Sequence, residues 1–98
     1  MHHTDGITER ELIDNTVNNA VQILKIAQTK DDKFRLIINL KWKKGEFYLE
    51  TQRKTIREWS SLDRLVQHIN LNYGSIPLII LNLRNQQDEK HKEKELIN

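Results

Sequence analysis

The sequence predicts an α+β domain in which a three- to four-stranded antiparallel sheet carries two helices packed on one face. Residues 34–42 alternate apolar and polar side chains with a period of two, which is typical of a strand with one buried face. Two stretches, residues 8–29 and 60–73, repeat apolar residues at helical spacing. Since one sheet face must be covered, these stretches are expected to cover it. The predicted order is α-β-β-(β)-α-β, followed by a polar tail.

The first helix is predicted to begin at the capping box Thr8-Glu-Arg-Glu11 and to end near Thr29. Its apolar positions span an arc wider than the arc of about 100° that a surface helix needs. We therefore expect this helix either to be sandwiched within the domain or to contact a partner at its outer edge, where Ile23 and Ile26 are the interface candidates. The stripe consists of Ile13, Val17, Ala20, Val21, Leu24 and Ala27, widened by Leu12, Ile23 and Ile26.

A hairpin is predicted next. Residues 34–42 form its first strand, Lys43-Lys44-Gly45 its turn, and residues 46–52 its second strand, with Phe47 and Leu49 facing inward. Residues 55–59 are expected to form a short third strand or an extended run into the second helix.

The second helix is predicted to follow Ser60 and Ser61 and to end at Tyr73 and Gly74. Asp63 in its first turn complements the helix dipole. The unbroken apolar run at residues 78–83 predicts a strand buried on both faces, which is either central in the sheet or covered; if it pairs with residues 34–42, it is central.

The chain length of 98 residues fits one domain. Residues 1–6 are expected to be a flexible leader, residues 7–84 the folded domain, and residues 85–98 a charged tail that is helical or disordered. The sequence has no cysteine, which excludes disulfides and thiolate metal sites and fits a cytoplasmic protein. It has no apolar run long enough to span a membrane, so no membrane association is expected.

No catalytic or metal-binding spacing is present in the sequence. It contains neither an H-E-x-x-H motif nor a calcium-binding loop, and Ser60-Ser61 lacks the histidine and glycines of a nucleophile turn. His68 is expected to be a partly exposed helix residue. We therefore predict a protein that is not an enzyme and needs no cofactor.

Basic residues concentrate in and after the hairpin, and they predict contacts to DNA phosphates. The two turns lie at opposite ends of the middle strand, so the cluster is expected on two rims of the sheet. Arg35 and Gln52 on the outward sheet face could read base edges, because a two-stranded ribbon fits the major groove. The alternative is a plain solvated face that keeps strand edges from pairing. The phosphate-contact candidates are Lys41, Lys43, Lys44, Arg53, Lys54 and Arg57.

Trp42 and Trp59 have two interpretations. Both fit the rim of the core, with the indole nitrogen near water. If they were exposed, they would form a stacking surface or an interface hot spot. The sequence thus leaves a homodimer or another protein partner, contacted through the first helix or a strand edge, as the alternative to DNA.

The spacing Leu49-x-Thr51-x-Arg53, followed by Arg57-x-Trp59-x-Ser61-Leu62-Asp63, resembles a pattern in short accessory proteins encoded on bacterial plasmids and integrative conjugative elements. The resemblance implies a regulatory or plasmid-maintenance setting and carries over no site residues. In layout, the predicted three strands followed by a helix also resemble the small DNA-binding domains of integrase arms and AP2-type factors.

Overall fold

The computed structural model describes residues 5–84, which form a five-stranded mixed sheet and two helices. The strand order across the sheet is β1-β4-β3-β2-β5. The α+β class is confirmed, whereas the expected antiparallel sheet of three or four strands is only part of the observed one. In chain order the elements are β1 (Asp5–Ile7), α1 (Glu9–Val17), β2 (Val21–Gln28), β3 (Phe34–Leu40), β4 (Phe47–Leu49), α2 (Leu62–Asn72) and β5 (Ile79–Asn82).

Two parallel pairings make the sheet mixed. β1 pairs parallel with β4, and β5 pairs parallel with β2, while β3 runs antiparallel to both of its neighbours. The connections β1-α1-β2 and β4-α2-β5 therefore cross the sheet in the same direction between parallel strands. Since such crossovers are right-handed in nearly all proteins, both helices belong on one face. Leu12 of α1 and Leu65 of α2 accordingly share a single core.

The segment predicted as the first helix forms a helix in its first half and a strand in its second half. The capping box at Thr8 and Glu11 is present, but α1 ends at Val17, and residues 21–28 form β2. Asn19 takes a left-handed conformation with φ 58°, which ends the helix as a glycine would. The prediction of a helix to Thr29 was wrong because pairing with the alternating β3 outweighs the weak helical periodicity of residues 21–28.

The predicted hairpin forms around Gly45, whose φ is 102°. β4 is shorter than expected, covering Phe47–Leu49. The short third strand does not form: residues 55–59 make only isolated bridges, Glu50 with Ile56 and Phe34 with Trp59. Asp5 and Gly6, predicted to be leader, belong to β1 and pair with Phe47 and Tyr48. The rest of the predicted leader and the tail at residues 85–98 lie outside the described residues.

α2 begins as predicted, with the Ser61 side chain accepting from the amide of Arg64 at 3.3 Å. The strand after it is in a different place from the one expected. β5 lies at the edge of the sheet, paired with β2 and not with β3, and Ile79 and Leu81 are about half exposed. The prediction of a central strand was wrong because two-sided burial is only one reason for an apolar run.

The core lies between the helices and one sheet face. On β3, Leu36 and Ile38 are fully buried there, and Leu24 and Leu49 of the neighbouring strands join them. Thr16 is the buried polar residue at the end of α1. Its hydroxyl donates to the carbonyl of Ile13 at 2.7 Å and accepts from the amide of Gly74 at 2.9 Å, which ties α1 to the segment after α2.

Candidate nucleic-acid interface

The connection between β3 and β4, residues 41–46, is an exposed cationic segment with three of the predicted site lysines, and we call it the Trp42 loop. All six of its residues are exposed. The loop is held at its base, since the amide of Lys41 donates to the carbonyl of Ala20 at 2.8 Å. The side-chain amide of Asn39 donates to the carbonyl of Gly45 at 3.2 Å. The loop therefore projects from fixed ends.

Trp42 presents its ring to solvent in a defined orientation. Trp42 is 65% exposed, yet its indole Nε1 donates a hydrogen bond to Oδ1 of Asn15 at 2.8 Å. A shallow groove of about 300 Å³ lies on the α1 side of the ring, and another of about 350 Å³ lies on the β2 side. Trp42 is therefore an exposed residue and not part of the rim of the core.

Three lysines line the groove on the β2 side of this ring. Among residues 5–84, none of Lys41, Lys43 and Lys44 has a carboxylate within 4.0 Å. Glu46, the acid of the loop itself, forms an ion pair with Lys25 at 2.6 Å. Lys43 places its Nζ 5.4 Å from the centroid of the Phe47 ring, a contact that leaves the charge accessible. The loop is therefore a local concentration of positive charge.

The groove on the β2 side contains an acceptor without a donor. Oδ1 of Asn39 is buried and has no hydrogen-bond partner in the described part of the chain. Buried polar atoms are normally paired, so this one is an exception, but it is closed to solvent and offers a ligand in the groove no contact in this conformation. Gln22 adds an exposed amide to the same groove.

The second set of predicted basic residues lies elsewhere. Arg53 and Lys54 occupy a turn closed by a hydrogen bond from the amide of Thr55 to the hydroxyl of Thr51, and Lys54 has φ 67°. This turn follows the carboxyl end of β4, whereas the Trp42 loop precedes its amino end. The structure thus separates the two basic sets along β4.

Arg57 and Gln52 line a third depression of about 810 Å³, together with acidic residues of α1 and β4's end. The guanidinium of Arg57 lies 4.5 Å from the centroid of the Trp59 ring. Trp59 is only partly buried and packs against the core, as a rim residue does. The carboxylates of Glu9, Asp14 and Glu50 in this depression oppose phosphate binding there.

Charged side chains on the outward sheet face form ion pairs with one another. Arg35 forms an ion pair with Glu58 at 2.7 Å, and the Lys25–Glu46 pair lies on the same face. Ile37, between these pairs, is only 9% exposed. Arg35 is therefore engaged where the sequence suggested a reader of base edges. The interface candidate Ile26 lies in the core, and Ile23 is half-buried on this outward face.

One cluster was missed by the sequence analysis. Glu9 accepts from the hydroxyl of Tyr73 at 2.8 Å through Oε1 and contacts Nε2 of His68 at 2.9 Å through Oε2. The Trp59 ring lies 5.3 Å from that of His68. The capping box placed Glu9 in the first turn of α1, but its two partners are 59 and 64 residues away, and no local pattern indicates them.

Comparison with known proteins found nothing: no family model, curated protein or solved structure matches the chain significantly. Within residues 5–84, no helix combines the length and the apolar character needed to cross a membrane. That part of the chain also has no cluster of three or more acidic, histidine or cysteine side chains suited to a metal ion.

Proposed function

We propose that the protein is a non-enzymatic accessory protein that binds single-stranded nucleic acid through the Trp42 loop. The observation that carries this proposal is the exposed indole of Trp42 among three lysines without carboxylate partners in the described chain. Stacking of bases on aromatic rings, combined with cations that follow the backbone, is the usual basis of single-strand binding.

A single strand suits the loop better than a duplex does. Trp42 can stack only on a base whose face is accessible, and duplex bases are stacked on one another. On the sheet face that would enter a major groove, Glu58 and Glu46 neutralise the charges of Arg35 and Lys25.

The charges around Trp42 favour one path for the nucleic-acid strand over the ring. The groove on the α1 side of Trp42 includes Glu11 and Asp14, whereas the groove on the β2 side is lined by the lysines and by Asn39. Phosphates are repelled by the first and attracted by the second. The strand is therefore expected to pass over the β2 side of the ring.

Fluorescence anisotropy with a labelled oligothymidine tests the proposal, at a length that covers a site of about 4–16 nucleotides. Affinity should fall steeply as salt rises, because lysine contacts release counterions. Trp42→Leu should weaken binding about 5- to 150-fold, which corresponds to about 1–3 kcal/mol of stacking per base. Trp42→Phe keeps an aromatic face and should retain most of the affinity.

The chain offers a matched control for charge. Lys43→Glu with Lys44→Glu should abolish binding, whereas Arg53→Glu with Lys54→Glu places the same charge change on the other turn and should have little effect. If both double variants lose affinity equally, binding is not centred on the Trp42 loop. Salt-independent retention of the oligonucleotide would remove nucleic acid as the partner.

We also propose that the protein is encoded on a bacterial mobile element and acts in the cytoplasm. The resemblance of residues 49–63 to accessory proteins of plasmids and conjugative elements supports a mobile element as the source, and the neighbouring genes test it. A nucleic-acid partner is consistent with the cytoplasm. The alternative function, a homo-oligomeric interaction module, is supported by a separate feature, the exposed aliphatic edge of β5.

A further inference from the structure

β5 ends the sheet on one side, and its edge is unusually apolar. Four large aliphatic side chains there are about half exposed or more: Leu78 (48%), Ile79 (46%), Leu81 (45%) and Leu83 (62%). No charged residue occurs from Ser75 to Leu83. Edge strands usually carry charges, prolines or bulges that prevent pairing with another chain, and here only Pro77, before the strand, is of that kind.

The backbone groups on this edge alternate. The carbonyl of Leu78 accepts from the amide of Leu24 at 2.9 Å, so the even-numbered residues direct their backbone groups toward β2. The amide of Arg84, another even-numbered residue, likewise donates to the side chain of Gln28 in β2 at 2.9 Å. Ile79, Leu81 and Leu83 therefore direct both their N–H and their C=O groups away from the sheet.

The same three residues share the helix-covered side of the sheet. Ile79 aligns with Leu24 and Leu81 with Ile26, and both of those β2 residues are in the core. On α2, Val66 is 41% exposed and lies about 200° around the helix from His68, which contacts α1. Val66 is thus on the flank of α2 away from α1.

We propose that β5 pairs antiparallel with β5 of a second copy of this chain, around a two-fold axis at Leu81. This register places Leu81 opposite the partner's Leu81 and Ile79 opposite the partner's Leu83. Each of these residues already directs both backbone groups to the edge, so each pair exchanges two hydrogen bonds. The helices of both copies lie on one face of the continuous sheet, where the aliphatic side chains meet.

A second copy fits this edge better than other occupants do. The pattern is self-complementary, since the three outward residues are spaced by two and centred on Leu81, as an isologous contact requires. The absence of charge avoids like-charge repulsion across the axis. The chain's own tail, residues 85–98, has only two apolar residues, Leu96 and Ile97, which are too few to cover four large aliphatic side chains.

This pairing is independent of the proposed nucleic-acid binding. The Trp42 loop lies at the end of the sheet where β2 and β5 begin, because Val21 pairs with Leu40 just before the loop. A two-fold axis perpendicular to the sheet places the partner's loop at the opposite end. Each copy therefore keeps its own loop, and a monomeric variant should bind an oligonucleotide with unchanged affinity per site.

Sedimentation equilibrium over a concentration series tests the dimer. The mass of the unaltered chain should rise from 11.7 kDa toward twice that value. Leu81→Lys places two like charges opposite each other at the axis and should give a folded monomer, with its fold checked by circular dichroism. Leu71→Lys makes the same change at an 83% exposed position of α2 and should still dimerise. A wild-type mass that stays at 11.7 kDa at every concentration would overturn the proposal.

Single-cysteine cross-linking tests the register even if Leu81→Lys fails to fold, since the chain has no native cysteine. With a short bismaleimide, Leu81→Cys should give a covalent dimer, and Val17→Cys, also exposed but on α1, should not. A covalent dimer from Val17→Cys alone, or a dimer that persists in folded Leu81→Lys, would show that another surface mediates association.

Discussion

The hydroxyl of Tyr73 donates to the carboxylate of Glu9 across 2.8 Å, and this bond joins the end of α2 to the start of α1. Tyr73 is 7% exposed and belongs to the core, so its hydroxyl has little access to water. The other oxygen of Glu9 contacts His68. The carboxylate thus links two helices that share one core.

Tyr73→Phe should lower the free energy of unfolding by about 1.5–3 kcal/mol, the range for a hydrogen bond to a charged group. The change removes one oxygen and leaves the buried ring in place. Urea denaturation followed by circular dichroism measures it. Tyr48→Phe is the matched control, because Tyr48 is half-exposed on the outward sheet face, and it should change stability by less than about 0.5 kcal/mol. Equal losses in both variants would show that the Glu9 bond contributes nothing specific.

Stability should decrease at alkaline pH because of the same tyrosine. Burial, then the hydrogen bond from its hydroxyl to Glu9 and the charge of that carboxylate, raise the pKa of Tyr73. In the unfolded chain a tyrosine ionises near pH 10. The folded state therefore holds a proton that the unfolded state releases, and its stabilising effect is present below about pH 10 and lost progressively above it. Urea midpoints across this range should fall more steeply for the native chain than for Tyr73→Phe; parallel curves would contradict the assignment.

Thr16→Val should destabilise the protein by about 0.5–1.5 kcal/mol, since it removes the hydrogen bond between the buried Thr16 hydroxyl and the amide of Gly74. Valine has nearly the shape of threonine, so packing is preserved and the hydroxyl alone is tested. Thr16→Ser retains the hydroxyl and loses a methyl group. Thermal unfolding should rank Thr16→Ser above Thr16→Val, and the reverse order would mean that the methyl group matters more than the bond.

Arg35→Gln should leave oligonucleotide affinity within about twofold of the native value, because the guanidinium is held by Glu58 on the outward face. Lys44→Gln removes one charge of the Trp42 loop and should weaken binding and lower the salt slope by about 0.7, the contribution of one phosphate contact on a single strand. Anisotropy titrations at several salt concentrations compare the two variants. A larger loss for Arg35→Gln would return the binding surface to the sheet face.

The hairpin and α2 were predictable because their signals are local. Period-two alternation in residues 34–42, Gly45 in the turn and Ser61 as a helix cap each determine structure through near neighbours. The exposed loop lysines followed from the same hairpin. The Glu9–Tyr73 contact and the pairing of Arg35 with Glu58 depend on the tertiary arrangement, which no local pattern specifies.

Two of the errors in the fold have a common cause. Residues 21–28 and 78–83 are apolar runs whose periodicity fits more than one structure. Residues 21–28 became a strand because β3 offers a long partner, and residues 78–83 joined β2 on its free side. An edge strand and a central strand can have the same composition when the edge itself is apolar. The sequence could therefore show that these residues are apolar without showing what covers them.

Paired substitutions at Ile23 and Ile26 distinguish a strand from a helix in β2. In a helix, residues three apart share a face, so both changes would have similar effects. In the observed strand they point to opposite sides: Ile26 aligns with Leu36 on the core side, and Ile23 aligns with Asn39 on the outward face. Ile26→Asp buries an unpaired charge and should unfold the domain, whereas Ile23→Asp, at a half-buried outward position, should leave it folded. Far-ultraviolet circular dichroism and urea denaturation separate the outcomes, and unfolding by both substitutions would contradict the alternation assigned to β2.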